Sequence, residues 1–265
     1  MVRGGNEGMT DQSNRGISPT ALVTGGGKRI GLRISQRLAR AGYTVILHCS
    51  PPSESEVEHE AAAIAAEGGK AAALSADLSD AAATDRLIAA ASALFGPLAL
   101  LVNNASIFED DSAKSFDVER FDRHFAVNLR APCILARDFA AQARAGADAA
   151  VVNIVDQRVF NLTPEFFSYT LSKAALWAAT QTMAQSFAPN VRVNAVGPGP
   201  VLPNSMEGEA GFRREVASVL LRRAVDPDDI ADAVLYLAKA RNVTGQMIAV
   251  DAGQHLSWRT PDIVL

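Results

Sequence analysis

From Thr20 onward, short β-branched runs alternate with longer Ala-rich and Leu-rich segments of helical period. That alternation leaves few arrangements open. Strands separated by helices run parallel, and a parallel sheet needs helices over both faces to be buried. The expected strands are 21–24, 44–49, 70–75, 98–102, 149–155, 191–196 and 246–250, with helices at 30–41, 54–67, 80–95, 117–144, 166–187 and 227–239. Asp226-Pro227 supplies an N-cap and first-turn pair for the last helix. The fold class expected is α/β, a doubly wound parallel sheet of about seven strands with helices on both faces. The stretch 203–223 fits neither period and carries Gly208 and Gly211, so it reads as a mobile flap over a site. With 265 residues, 48% of them hydrophobic, residues 19–265 suit one domain with an extensive core. Residues 1–18 are rich in Gly, Asn, Ser and charge and read as a disordered leader.

Net charge is −4 and no basic run occurs, so there is no electrostatic footprint for nucleic acid or an anionic membrane. A small-molecule substrate is the class that remains. No apolar stretch approaches the length of a membrane span. Only Cys49 and Cys133 are present, too few for a disulfide framework, and a reducing, cytoplasmic setting is expected. The histidines at 48, 59, 124 and 255 lack metal-ligand spacing, so no metal is assigned. The acidic run Glu109-Asp110-Asp111 reads as a solvated loop.

The first strand runs into Thr24-Gly25-Gly26-Gly27-Lys28-Arg29-Ile30-Gly31, a turn that opens a helix and can present backbone N–H groups to a pyrophosphate. A glycine-rich turn alone can be a plain tight turn. Here it follows a strand and precedes a helix, the context that supports a dinucleotide site. Lys28 and Arg29 add two positive charges at the phosphate end. Where an acidic side chain would hold a free ribose 2′-hydroxyl, the second strand ends in Leu47-His48-Cys49-Ser50, with no carboxylate before Glu54. NADPH is therefore expected over NADH, with His48 and Ser50 beside the cofactor.

Asp156 precedes Tyr169 by thirteen positions, and Lys173 follows that tyrosine by four. On a helix the separation of four puts Tyr169 and Lys173 on one face, where a cation favours the phenolate and makes the tyrosine a usable acid. Asp156 directly follows the run Val151 to Val155, at a strand end from which a carboxylate can reach the phenol. Taken alone, the three also read as ordinary surface polar residues. Further polar clusters fall at expected strand ends: Asp77-Leu78, Asn103-Asn104-Ala105-Ser106 and Gly197-Pro198-Gly199-Pro200. Each singly is common turn chemistry. In an open parallel sheet, however, one ligand crevice lies outside all those ends.

Thr-Gly-x-x-x-Arg-Ile-Gly at 24–31, Asn-Asn-Ala-Ser at 103–106, Asn128, Tyr169-x-x-x-Lys173 and Pro198-Gly199 together make residues 20–255 resemble the short-chain dehydrogenase/reductase family. The resemblance implies a single Rossmann-type domain. It implies that Tyr169 exchanges the reacting proton, that Lys173 lowers its pKa and binds the nicotinamide ribose, and that Asn128 supports a relay water. By the same resemblance Asp77 contacts adenine, Asn104 lines the cofactor channel, and Gly25, Ile30, Gly31, Leu78, Ala105, Pro198 and Gly199 belong to the cofactor cleft. It also implies a homotetramer paired through the helices at 117–144 and 166–187. The family usually has serine where this sequence has Asp156, and a carboxylate cannot donate a hydrogen bond to a carbonyl oxygen. Arg29, Ser106, Phe108, Asp156 and Tyr169 instead resemble the pteridine reductase branch. There they would form the substrate site, with Phe108 stacking the ring. The implied reaction is reduction of a dihydropterin, with folates as further substrates. The alternatives are a carbonyl reductase, such as a 3-oxoacyl-thioester reductase, and an NADP(H)-binding regulator with little catalysis.

Overall fold

The computed structural model describes residues 18–144, 146, 148–203 and 208–258. Its centre is a seven-stranded parallel sheet of β1 (Thr20–Val23), β2 (Thr44–Cys49), β3 (Lys70–Ser75), β4 (Leu98–Asn103), β5 (Ala149–Ile154), β6 (Val191–Pro198) and β7 (Met247–Val250). The spatial order is β3-β2-β1-β4-β5-β6-β7. Strand order therefore reverses between β1 and β4, which opens a crevice at their carboxyl ends. Between the strands lie α1 (Arg29–Arg40), α2 (Glu54–Ala66), α3 (Ala81–Phe95), α4 (Val118–Phe125), α5 (Ala131–Gln142), α6 (Phe167–Phe187), α7 (Gly208–Ser218) and α8 (Pro227–Lys239).

The alternation of side chains along each strand divides the core in two. Ala21 and Val23 of β1 pack with Ile34, Leu38, Val57, Ile230 and Val234, under α1, α2 and α8. Leu22 points the other way, to Leu87, Ile88, Leu135, Phe139 and Met183, under α3, α5 and α6. Every residue of β1, β2 and β5 is buried, as expected of strands covered on both faces. Asp226 caps α8 by accepting from the Asp228 N–H at 2.9 Å, with Pro227 in the first turn, as the sequence indicates.

Two expectations need correction. The helix anticipated over 117–144 is broken into α4 and α5 by a π-helical turn at Ala126–Arg130. Pro132 has no N–H to offer the carbonyl four residues back, that of Asn128, and the Ala131 N–H bonds to the Ala126 carbonyl instead. The stretch at 203–223, read as aperiodic, contains α7. Glu209, Ala210, Arg213, Arg214 and Ala217 are good helix formers, and Gly211 is the helix's buried contact, where a small residue packs. Residues 204–207 of that stretch, and 1–17 of the expected leader, lie outside the described residues.

Candidate active site

A cleft of about 710 Å³ runs along the carboxyl ends of the strands. Its lining includes Gly25, Lys28, Arg29, Ile30, Gly31, His48, Ser50, Asp77, Leu78, Asn104, Ala105, Ser106, Phe108, Asp156, Tyr169, Lys173, Pro198 and Gly199. The cleft thus gathers every residue given a cofactor, substrate or proton-transfer role from the sequence except Asn128, which stands behind its lining.

At one end is the glycine turn. Gly25 has φ +60°, open to glycine at no steric cost, and a Cβ on Gly31 would lie 2.0 Å from the Gly25 carbonyl oxygen and 2.6 Å from Asn104 Nδ2. Asn104 is a clamp on this turn: its Nδ2 donates to the Thr24 carbonyl at 2.9 Å and the Gly25 carbonyl at 3.2 Å, while Thr24 Oγ1 accepts from the Asn104 and Ala105 N–H groups. Gly31→Ala must therefore push the turn open. The expected result is a loss of about 1–3 kcal/mol in stability together with weakened NADPH binding, read by thermal melting and by NADPH fluorescence.

His48 is buried and bonded on both nitrogens. Its Nδ1 accepts from the Gly25 N–H at 3.2 Å, which leaves Nε2 to donate to the Ala76 carbonyl at 3.1 Å. Burial lowers its pKa to about 4. The unfolded chain binds this proton near pH 6.5 and the folded one only near 4, so stability is lost as pH falls through that window. The loss attributable to His48 is about 3 kcal/mol, visible as a steeper fall in the urea midpoint between pH 6.5 and 4 than His48→Gln shows. Asp77 Oδ1 is held by the N–H and hydroxyl of Ser79, which lowers its pKa.

At the other end stands the acid group. The Tyr169 hydroxyl donates to Asp156 Oδ2 at 2.9 Å, and Lys173 Nζ donates to the Ile154 carbonyl at 2.8 Å. The expectation that the lysine would make this phenol acidic is corrected here. Burial, and then the Asp156 charge, raise the Tyr169 pKa well above the ordinary phenol value. The ammonium is turned to a carbonyl, and burial lowers its own pKa to about 8. The tyrosine is thus held fully protonated, with its hydrogen aimed at a carboxylate.

Asn128 is buried and fully engaged: Oδ1 accepts from Ser106 Oγ and the Ile107 N–H, and Nδ2 donates to the Ile107 carbonyl and Ser172 Oγ. Its amide joins the 105–108 loop to α6. Any contact with a relay water falls to its backbone carbonyl, which Pro132 has deprived of its usual helical donor. Phe108 stacks on Phe166 with ring centroids 4.4 Å apart and stands edge-on to Tyr169 at 4.7 Å. Arg29 has φ +51°, a strained conformation for a side-chain-bearing residue, and its guanidinium reaches the Pro203 carbonyl across the cleft.

The acidic run at 109–111 is not a solvated loop throughout. Glu109 pairs with Arg120 and Arg123, and Asp111 is 7% exposed. Its carboxylate accepts from the Ser168 N–H at 3.0 Å and from the Ser168 hydroxyl, while its carbonyl accepts from the Phe167 N–H. Asp111 therefore caps the helix that carries Tyr169, from a loop fifty-seven residues away. Neither Asp111 nor Phe166, which enters α6 at φ +53°, leaves a local signal in the sequence.

Residues 26–255 match the family model described as enoyl-(acyl carrier protein) reductase. An uncharacterized oxidoreductase of Methylorubrum extorquens is 36% identical over 241 residues, which cover 88% of this chain and 96% of that one. The chain belongs to the short-chain dehydrogenase/reductase family. Among solved structures, the alternative dihydrofolate reductase 1 FolM from Brucella canis, complexed with NADP, is 47% identical with a TM-score of 0.90, covering 94% of this chain and 98% of that one. A blue fluorescent protein from a metagenomic library, in complex with NADPH, is 30% identical with a TM-score of 0.83, covering 89% and 97%. The short-chain dehydrogenase/reductase frame thus accounts for the order of the glycine turn, the Asn-Asn-Ala-Ser segment and the Tyr-x-x-x-Lys pair along the cleft.

Proposed function

We propose that this protein is an NADPH-dependent pteridine reductase, which converts a dihydropterin to the tetrahydro form and also accepts folates. The observation that carries this reading is the 2.9 Å bond from the Tyr169 hydroxyl to Asp156. A carboxylate at that place repels a carbonyl oxygen but receives N–H and amidine donors, which a pterin presents. The likeness to the NADP complex of FolM, at 47% identity, supports the same conclusion.

The residues present fit a dinucleotide: the glycine turn leaves no room for a Cβ at Gly31, β2 runs into Ser50 without a carboxylate, and Lys28 and Ser50 both line the cleft. Gly25, Lys28, Ile30, Gly31, His48 and Ser50 would hold the phosphate and ribose end, Asp77, Leu78, Asn104 and Ala105 the middle, and Lys173, Pro198 and Gly199 the nicotinamide end. When bound, NADPH supplies the hydride for the carbon of a ring C=N bond. The proton for the nitrogen comes from the Tyr169 hydroxyl. As ring N–H donors engage Asp156, its hold on the phenol weakens and the phenol becomes the stronger acid that the transfer needs. Lys173 balances the phenolate charge left behind. Phe108 and Arg29 bound the ring, and Ser106 with Asn128 fixes the loop that carries Phe108. The ratio of kcat/KM for NADPH over NADH, measured with 7,8-dihydrobiopterin, checks the cofactor and the substrate together. A ratio below one would remove NADPH, and no turnover would remove the pterin.

Residues 19–265 act as one catalytic domain in this reading, in a reducing, cytoplasmic compartment compatible with the free thiols of Cys49 and Cys133. Among the described residues no helix is long and apolar enough to cross a membrane. A homotetramer paired through α4, α5 and α6 would cover Val118 and Leu171, which are exposed here.

A further inference from the structure

Arg158 lines the cleft two positions beyond Asp156. Its backbone N–H donates to Asp156 Oδ1 at 2.8 Å, so the guanidinium and that carboxylate hang from one 3₁₀ turn, Gln157–Val159. The guanidinium carbon lies 4.8 Å over the ring of Phe166, the ring that stacks on Phe108. Arg158 thus joins the aromatic pair that walls the substrate end of the cleft. Its Nε is buried with no hydrogen-bond partner, and among the described residues it forms no ion pair.

A planar fork of N–H donors, partly withdrawn from water and unpaired, matches a carboxylate in shape and charge. The pterin ring offers no anion, and its N–H groups are matched to Asp156. The anion must come from the substituent on the ring. Besides Asp156, four carboxylates line the cleft, Glu56, Asp77, Glu165 and Glu215, the last accepting from Gln254. An anionic substituent is tolerated among them only where a cation receives it.

We propose that Arg158 holds a carboxylate on the substrate's side chain, so that the site selects dihydropterins with an aromatic, carboxylate-bearing tail of the folate type over those with an uncharged hydroxyalkyl chain. The inference rests on the pteridine reductase reading. Its test compares 7,8-dihydrofolate with 7,8-dihydrobiopterin, at saturating NADPH, for the unaltered protein, Arg158→Gln and Arg158→Lys. The unaltered protein is expected to favour dihydrofolate. Arg158→Gln lowers kcat/KM for dihydrofolate by about tenfold or more, mainly through KM, leaves dihydrobiopterin within about twofold, and Arg158→Lys recovers part of the loss. An equal fall for both substrates would place Arg158 with the acid group rather than the tail, and no change for either would leave it no role in recognition; each overturns the proposal. Thermal melting and NADPH binding establish that the variants are folded. Should Arg158→Gln fail to fold, Arg158→Lys decides alone: a KM for dihydrofolate unchanged after loss of the fork overturns the proposal. If the unaltered protein reduces neither compound, the pteridine reading itself falls and this inference with it. If it reduces dihydrobiopterin but not dihydrofolate, the inference alone falls.

Discussion

Tyr169→Phe lowers kcat for pterin reduction by a factor of about 10²–10⁴ and leaves NADPH affinity nearly unchanged. The substitution removes one hydroxyl, the side-chain group that donates to Asp156 Oδ2, with an O···O distance of 2.9 Å. The ring remains to hold its edge contact with Phe108, and Lys173 keeps its bond to the Ile154 carbonyl. Cofactor contacts attributed to Lys173 and the glycine turn are untouched, so the loss falls on the proton step. Stopped-flow measurement of hydride transfer at saturating NADPH reads it directly, and an unchanged kcat would remove Tyr169 from the mechanism.

Asp156→Ser reduces pterin turnover by about a hundredfold or more, because the N–H donors of the ring lose a charged acceptor. It also takes away the charge that helps to raise the Tyr169 pKa, so the limb of the pH profile governed by that phenol moves to lower pH. A serine hydroxyl can donate to a carbonyl oxygen, so turnover of a 3-oxoacyl thioester stays level or rises. Retained pterin turnover in this variant would make the aspartate a mere orienter of Tyr169.

The strand 44–49 was legible as a short, partly β-branched apolar run buried on both faces, and 70–75, Ala-rich and only partly buried, from its place in the strand-helix alternation; both match the structure residue for residue. The break at Asn128 was written in Pro132 but hidden by helical periodicity on both sides of it. The helix α7 was obscured by two glycines, whose low propensity outweighed the good helix formers between and after them. In the site, residues joined through local spacing or a strand end were found: Tyr169 with Lys173, Asp156, and the glycine turn. Asn128, Ser106 and Phe108, joined by tertiary approach, were named through the family resemblance, whereas Asp111 and Arg158 were not named as site residues. Asp111 reaches Ser168 and Arg158 reaches Phe166 through side chains whose spacing carries no period. The sign of the Tyr169 shift was misread for the same reason, since the direction of Lys173 Nζ toward Ile154 is set by packing.

The central claim is that Asp156 marks a site for pteridines rather than ketones. The most direct test is NADPH consumption by the purified protein, offered 7,8-dihydrobiopterin and 7,8-dihydromonapterin in one set and a 3-oxoacyl thioester in another. Turnover of the pterins without the thioester is the predicted result; turnover of the thioester without the pterins would contradict it and make Asp156 a tolerated variation in a ketone reductase.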